Sequence, residues 1–175
     1  MSTQLQADKR ETSLDRTGNS ATSEKPKKNE PKRNIFLAIA VGAIIAGTID
    51  LLWACIEEGW DIPLYIAAGL LGRQAIHGGP GTYVLGVSLH FFIAFSAATV
   101  YYVLSRKLPF MTEYPVICGL CFGAWVELFM NLIVLPLSGL HATGPFTLRY
   151  LLEGLATHMV NVGVPIAFSV RRFAK

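Results

Sequence analysis

Six polar side chains interrupt the long apolar stretches of this 175-residue sequence, and four of the six are carboxylates or imidazoles. An ionisable group in the middle of a bilayer costs about 2.5 to 3.5 kcal/mol on insertion scales, so such groups face a helix-bundle interior or a wet cavity. Held together there, carboxylates and imidazoles can pair, pass protons or bind a metal ion. The sequence predicts that the six form one buried polar layer, the candidate site: Asp50, His90, Glu127, Asn131, His158 and Asn161.

Three hypotheses account for this layer. A hydrogen-bonded, charge-paired core would fix the register of the helices without performing any chemistry. A proton-handling or small-solute site would use the intramembrane carboxylates and imidazoles as a relay. A haem-binding or metal-binding protein, or an electron-transfer accessory subunit, would use His90 and His158 as ligands. Asp50 and Glu127 could complete a metal site in that case.

Sequence motifs for catalysis or metal binding are missing. The chain has no H-E-x-x-H, no G-x-S-x-G, no Walker loop and no Rossmann glycine set. Cys118 and Cys121 form a C-x-x-C pair, but it lies in an apolar stretch and not in the βαβ setting of thioredoxin. We therefore assign no catalytic residue, expect no cofactor and favour a protein that is not an enzyme.

Four apolar stretches are long enough to hold these side chains inside a membrane, where a spanning helix needs about 20 mostly apolar residues. The chain is 52% hydrophobic and only 15% charged, and the predicted spans cover about 35–56, 82–104, 115–135 and 150–170. The third is expected to end before Pro136. A shorter apolar stretch, about 62–76, is predicted to be an interfacial or re-entrant helix on the outer face. The fold class is therefore all-α, a four-helix transmembrane bundle.

Small residues share the helix faces that carry the polar groups. In the third span Gly119, Gly123, Glu127 and Asn131 recur every four residues, and Gly154 precedes His158 by the same spacing. Small residues mark contacts between membrane helices because they let backbones approach closely. The pattern predicts a compact bundle with the polar groups inside. Gly119 and Gly123 also form a G-x-x-x-G motif, through which the chain could form a homo-oligomer.

Basic residues are distributed unevenly along the chain. Residues 1–34 hold eight Lys or Arg and five Asp or Glu, whereas residues 35–175 hold seven of each kind. The first segment has no apolar period and is predicted to be a disordered, basic cytoplasmic tail. Because Lys and Arg concentrate on the cytoplasmic side, both termini of the membrane domain, 35–175, are predicted to be cytoplasmic. The basic residues form no patch on a folded domain, so the expected partner is the lipid bilayer and not nucleic acid.

Three segments carry a resemblance to known proteins: Leu-His-Phe-Phe-Ile-Ala-Phe at 89–95, Met-Asn-Leu-Ile-Val-Leu-Pro-Leu-Ser at 130–138 and His-Met-Val-Asn-Val-Gly-Val-Pro-Ile-Ala at 158–167. With them the chain resembles a group of small, uncharacterised bacterial inner-membrane proteins over about 35–172. From Tyr83 onward it is distantly similar to the YagU inner-membrane family. The resemblance implies a location in the bacterial inner membrane and makes His90 and His158 family-like positions. It implies no reaction.

Overall fold

The computed structural model describes residues 34–141 and 147–173, and this part of the chain is helical with no β-strand. The predicted disordered tail, 1–34, lies outside the described residues apart from Asn34. Five helices build the fold, and we number them in chain order. They are α1 (Ile35–Glu58), α2 (Ile62–Leu71), α3 (Pro80–Lys107), α4 (Pro115–Leu137) and α5 (Leu148–Phe173), with a 3-10 turn at Arg73–His77 and a one-turn helix at Phe110–Glu113.

Helices α1, α3, α4 and α5 are each long and apolar enough to cross a membrane. They correspond to the four predicted spans, so the all-α, four-helix class is confirmed. The chain passes up and down through the bundle, and the N–H of Asn34 donates a hydrogen bond to the carbonyl oxygen of Phe173 at 3.1 Å. The described chain therefore begins and ends at the same end of the bundle. We call this end the base and the opposite end, where α2 lies, the top.

Helix α2 is shorter than the predicted helix over 62–76. It ends at Leu71 because Gly72 adopts φ 85°, a left-handed conformation that favours glycine, and the chain continues as the separate 3-10 turn. The backbone of Pro63 rests directly on Gly86 of α3. The N–H of Gly139, after α4, donates to the carbonyl oxygen of Gly69 at 2.7 Å. These two contacts fix α2 across the top.

Two turns of π-helix interrupt the long helices, at Met130–Val134 in α4 and at Met159–Gly163 in α5. Each ends two residues before a proline, Pro136 or Pro165. A proline inside a helix lacks the N–H that bonds to residue i−4 and its ring clashes with that carbonyl group. The wider π turn accommodates this defect. The expected end of the third span before Pro136 is therefore wrong, because α4 continues to Leu137.

Small residues bring the helices together. Helix α1 packs against α3 and α5, and α5 packs against α4. A Cβ atom added at Gly123 would lie 2.7 Å from the carbonyl carbon of His158, and one added at Gly119 would lie 2.8 Å from the carbonyl oxygen of Gly163. The two glycines proposed for a homo-oligomer are thus buried against α5 of the same chain. Oligomerisation itself stays a prediction.

The close contact at Gly123 gives a matched test of this packing. Gly123→Ala should lower the free energy of unfolding by about 1 to 3 kcal/mol, because the added methyl group overpacks the α4–α5 contact. Gly81→Ala is the control, since a Cβ atom there meets nothing within 4 Å. Alanine is also the better helix former, so the control should be neutral or slightly stabilising. Unfolding in mixed micelles measures both changes, and equal effects of the two variants would contradict the packing.

Candidate functional site

The first carboxylate–imidazole pair joins α1 to α3. The Nε2 atom of His90 lies 2.9 Å from the carbonyl oxygen of Gly47 and 4.0 Å from Oδ2 of Asp50. A carbonyl oxygen only accepts hydrogen bonds, so Nε2 carries the proton and donates it to Gly47. The separation from Asp50 is too long for a hydrogen bond. The side chains of Asp50 and His90 are each 14% exposed, so both are largely buried without being tightly bonded to one another.

The second pair joins α4 to α5 and is fully hydrogen-bonded. The Nδ1 atom of His158 lies 2.9 Å from Oε2 of Glu127, and Nδ2 of Asn131 donates to Oε1 of Glu127 at 2.7 Å. Carboxylate oxygens accept when ionised, so Nδ1 of His158 carries a proton and donates it. The same atom lies 3.2 Å from the carbonyl oxygen of Gly154. Only 5% of the Glu127 side chain is exposed, and both of its oxygens have donors.

The helix distortions and glycines hold this second pair in place. Asn131 lies in the π turn of α4, and its Nδ2 atom also donates to the backbone carbonyl of Glu127 at 3.1 Å. His158 immediately precedes the π turn of α5. Gly154 leaves room for the carboxylate, since a Cβ atom there would lie 2.9 Å from Cδ of Glu127. The prolines that follow each polar cluster are the sequence signal that could have indicated these turns.

Both pairs adjoin one cavity of about 380 Å³ beneath α2. Asp50, His90 and His158 line it, and Glu127 lies behind His158. The rest of the wall is predominantly apolar and comes from all five helices. It includes Ala46, Leu51, Ile66, Leu70, Leu89, Ile93, Val126, Met130, Val134 and Val162. A mostly apolar pocket with a few convergent polar groups is the usual form of a small-molecule site.

Four of the six predicted site residues thus form two pairs beside one cavity, and a fifth, Asn131, donates a hydrogen bond to Glu127 of the second pair. Asn161 differs, because it does not line the cavity and its side chain makes no hydrogen bond with any residue of 34–141 or 147–173. Sequence reasoning also missed Gly47, whose carbonyl group fixes the His90 ring. Pairing across helices depends on which helices are neighbours, and helical spacing alone does not give that information.

The hypothesis of a metal site finds no donor set in the described part of the chain. Among those residues no group of three His, Cys, Asp or Glu side chains is placed to hold a metal ion. His90 and His158, the candidate metal ligands, instead approach two different carboxylates. Cys118 and Cys121 are both free thiols.

Comparison with known proteins identifies no relative of this chain. No family model, no curated protein and no solved structure matches the chain. The class of the molecule therefore follows from its own geometry. Its four long apolar helices give it the architecture of a multi-pass membrane protein, and its distinguishing feature is a cavity bordered by two carboxylate–imidazole pairs.

The unequal bonding of the two carboxylates predicts unequal costs of removing them. Glu127→Ala leaves the buried donors of Asn131 and His158 without their acceptor and should destabilise the fold by about 1 to 3 kcal/mol. Asp50→Ala removes a carboxylate that makes no hydrogen bond with a described residue, so it should cost less than about 1 kcal/mol. Unfolding free energies in mixed micelles at neutral pH compare the two. A larger loss for Asp50→Ala would contradict the assigned bonding.

Proposed function

We propose that this chain is a proton-responsive integral membrane protein, in which the protonation of two imidazoles sets the charge of a binding cavity. The observation that carries the proposal is the position of the two pairs. Each imidazole comes from one helix and its carboxylate from a neighbouring helix, and both imidazoles line the same apolar cavity. Histidine is the side chain whose charge ordinarily changes between about pH 5 and 8.

Protonation would change both what the cavity can bind and how the helices interact. A neutral His158 donates from Nδ1 to Glu127 and keeps a lone pair on Nε2, whereas the protonated ring donates from both nitrogens. A protonated His90 would place a positive charge 4.0 Å from Asp50. In surroundings of low dielectric constant these charges act strongly. Tyr65 on α2 is the other titratable group that the described residues contribute to the cavity wall.

A purely structural role for the pairs predicts different behaviour. In that case the pairs would fix the register of the helices in one protonation state, and removing an imidazole would lower stability equally between about pH 5 and 8. The proton-responsive role predicts a stability that depends on pH through His90 and His158. The cavity favours the second role, because a pair needed only for register would gain nothing from access to a space of about 380 Å³.

We further propose that the protein lies in the bacterial inner membrane with both termini in the cytoplasm. Two observations support this orientation. The described chain begins and ends at the base, where Arg106, Lys107, Arg171 and Arg172 also lie near helix ends. Lys and Arg are enriched on the cytoplasmic side of membrane proteins. The resemblance to bacterial inner-membrane proteins supports the choice of membrane.

The pH dependence of stability tests the proton-responsive role. His90→Gln and His158→Asn keep a donor near the position of the nitrogen that bonds in the native protein, but neither side chain titrates. The melting temperature of the wild type should change between about pH 5 and 8, and this change should be strongly reduced in the double variant. His77→Gln is the matched control, because His77 is exposed and does not line the cavity. A double variant with the wild-type pH profile would contradict the role.

Reporter fusions test the orientation. A reporter that is active only outside the cytoplasm should be inactive at the N-terminus and at the C-terminus, and active when inserted after Gly79, at the top of the bundle. A cytoplasmic fluorescent reporter should give the opposite pattern. Activity of the external reporter at either terminus would contradict the orientation.

A further inference from the structure

The polar atoms available on the cavity wall are mainly hydrogen-bond acceptors. The Asp50 carboxylate accepts no hydrogen bond from any described residue, and Nε2 of His90, 4.0 Å away, donates to Gly47. His158 donates through Nδ1, so the Nε2 atom of the neutral ring holds a lone pair. Asp50 and His158 line the same cavity. The cavity thus offers two kinds of acceptor, the carboxylate of Asp50 and the Nε2 lone pair of neutral His158.

The remaining polar side chains of the wall do not change this excess of hydrogen-bond acceptors. The hydroxyl of Ser138 donates to the carbonyl oxygen of Leu135 at 2.7 Å and accepts from the N–H of Leu140 at 3.3 Å. Tyr65 is about half exposed. Among the described residues, no Lys or Arg lines the cavity. A negative charge in a largely apolar space is costly unless a cation or several donors reach it.

The packing of the helices around the cavity is uneven. Helix α2 covers the top, and the rings of Tyr101 on α3 and Phe122 on α4 lie 5.0 Å apart nearer the base. Helix α1 packs against α3 and α5, and α5 against α4, whereas α3 and α4 scarcely contact each other. The cavity is lined by both α3 and α4. The loosest packing around the cavity is therefore between these two helices, on the side of the bundle that would face lipid.

We propose that this cavity binds a lipophilic primary amine in its protonated form, which enters from the membrane between α3 and α4. The ammonium group offers a positive charge and three N–H donors to Asp50 and to Nε2 of His158. The hydrocarbon part fills the apolar remainder of the cavity. This inference rests on the proposed function in one respect, the effect of pH on binding. Protonation of His158 removes one acceptor and adds a positive charge, so acidic pH should weaken amine binding.

The experiment uses the full-length protein in nanodiscs of zwitterionic phosphatidylcholine, with empty nanodiscs to correct for partition into lipid. Three probes share one chain length and differ in their head group: n-octylamine, octyltrimethylammonium and octanoate. Calorimetric titration at pH 7.5 should show saturable binding of octylamine. Octyltrimethylammonium carries the charge without N–H donors, and octanoate carries the opposite charge, so each should bind at least about tenfold more weakly.

Asp50→Asn should weaken octylamine binding by at least about tenfold, because the substitution replaces the carboxylate of Asp50 with an uncharged amide. Asp61→Asn is the matched control, since Asp61 is exposed, lies at the start of α2 and does not line the cavity. A melting curve of each variant shows that it is folded. The inference is overturned if the three probes bind equally, if octylamine does not bind at all, or if folded Asp50→Asn binds it as tightly as the wild type.

Failure of the inference and failure of the proposed function give different results. If octylamine binding needs Asp50 but is equally strong at pH 7.5 and pH 5, the amine site stands and proton-responsiveness of the cavity fails. If the wild type keeps its histidine-dependent melting profile but shows no preference for octylamine, the amine site fails alone. If both stand, binding should be weaker at pH 5 than at pH 7.5, and His158→Asn should abolish that difference.

Discussion

The hydrogen bonding of the Glu127 carboxylate is the constraint on which most of this structure depends. In hydrocarbon a buried polar group has no water to bond with, so the protein must supply every partner. Asn131 and His158 supply one donor to each oxygen of Glu127, at 2.7 and 2.9 Å. This arrangement joins α4 to α5, needs a glycine at position 154 to leave space, and lies beside both π turns.

The two carboxylates of the site have the same chemistry but different surroundings, so one stabilises the fold and the other faces the cavity. Glu127 is fully bonded and lies behind His158, where it orients the imidazole. Asp50 lies on the cavity wall. The imidazole nitrogen nearest to it, Nε2 of His90, donates its hydrogen bond to the backbone carbonyl group of Gly47. One pair thus stabilises the bundle while presenting a titratable ring to the cavity. The other presents a carboxylate whose bonding capacity is available to a ligand.

The sequence predicted the elements better than the contacts between them. Four apolar stretches of sufficient length indicate four helices because a bilayer permits few other structures. Spacing along a helix also placed Glu127 and Asn131 on one face. The partners on other helices could not be derived, because each helix could neighbour any of the others until packing is known. The continuation of α4 through Pro136 depends on a π turn, which a rule against proline in helices does not anticipate.

Nitrogen-15 NMR of the imidazoles tests directly whether His158 donates from Nδ1 to Glu127 and changes its protonation in the folded protein. The chain has four histidines, so His158 can be assigned by its loss in His158→Asn. In its neutral form the ring of His158 should be protonated at Nδ1 and unprotonated at Nε2, because Glu127 accepts from Nδ1. As the pH falls towards about 5, Nε2 should become protonated in the folded protein. A ring protonated only at Nε2 would contradict the hydrogen bond from His158 to Glu127. A spectrum that does not change between about pH 5 and 8 would contradict the proton-responsive role of His158.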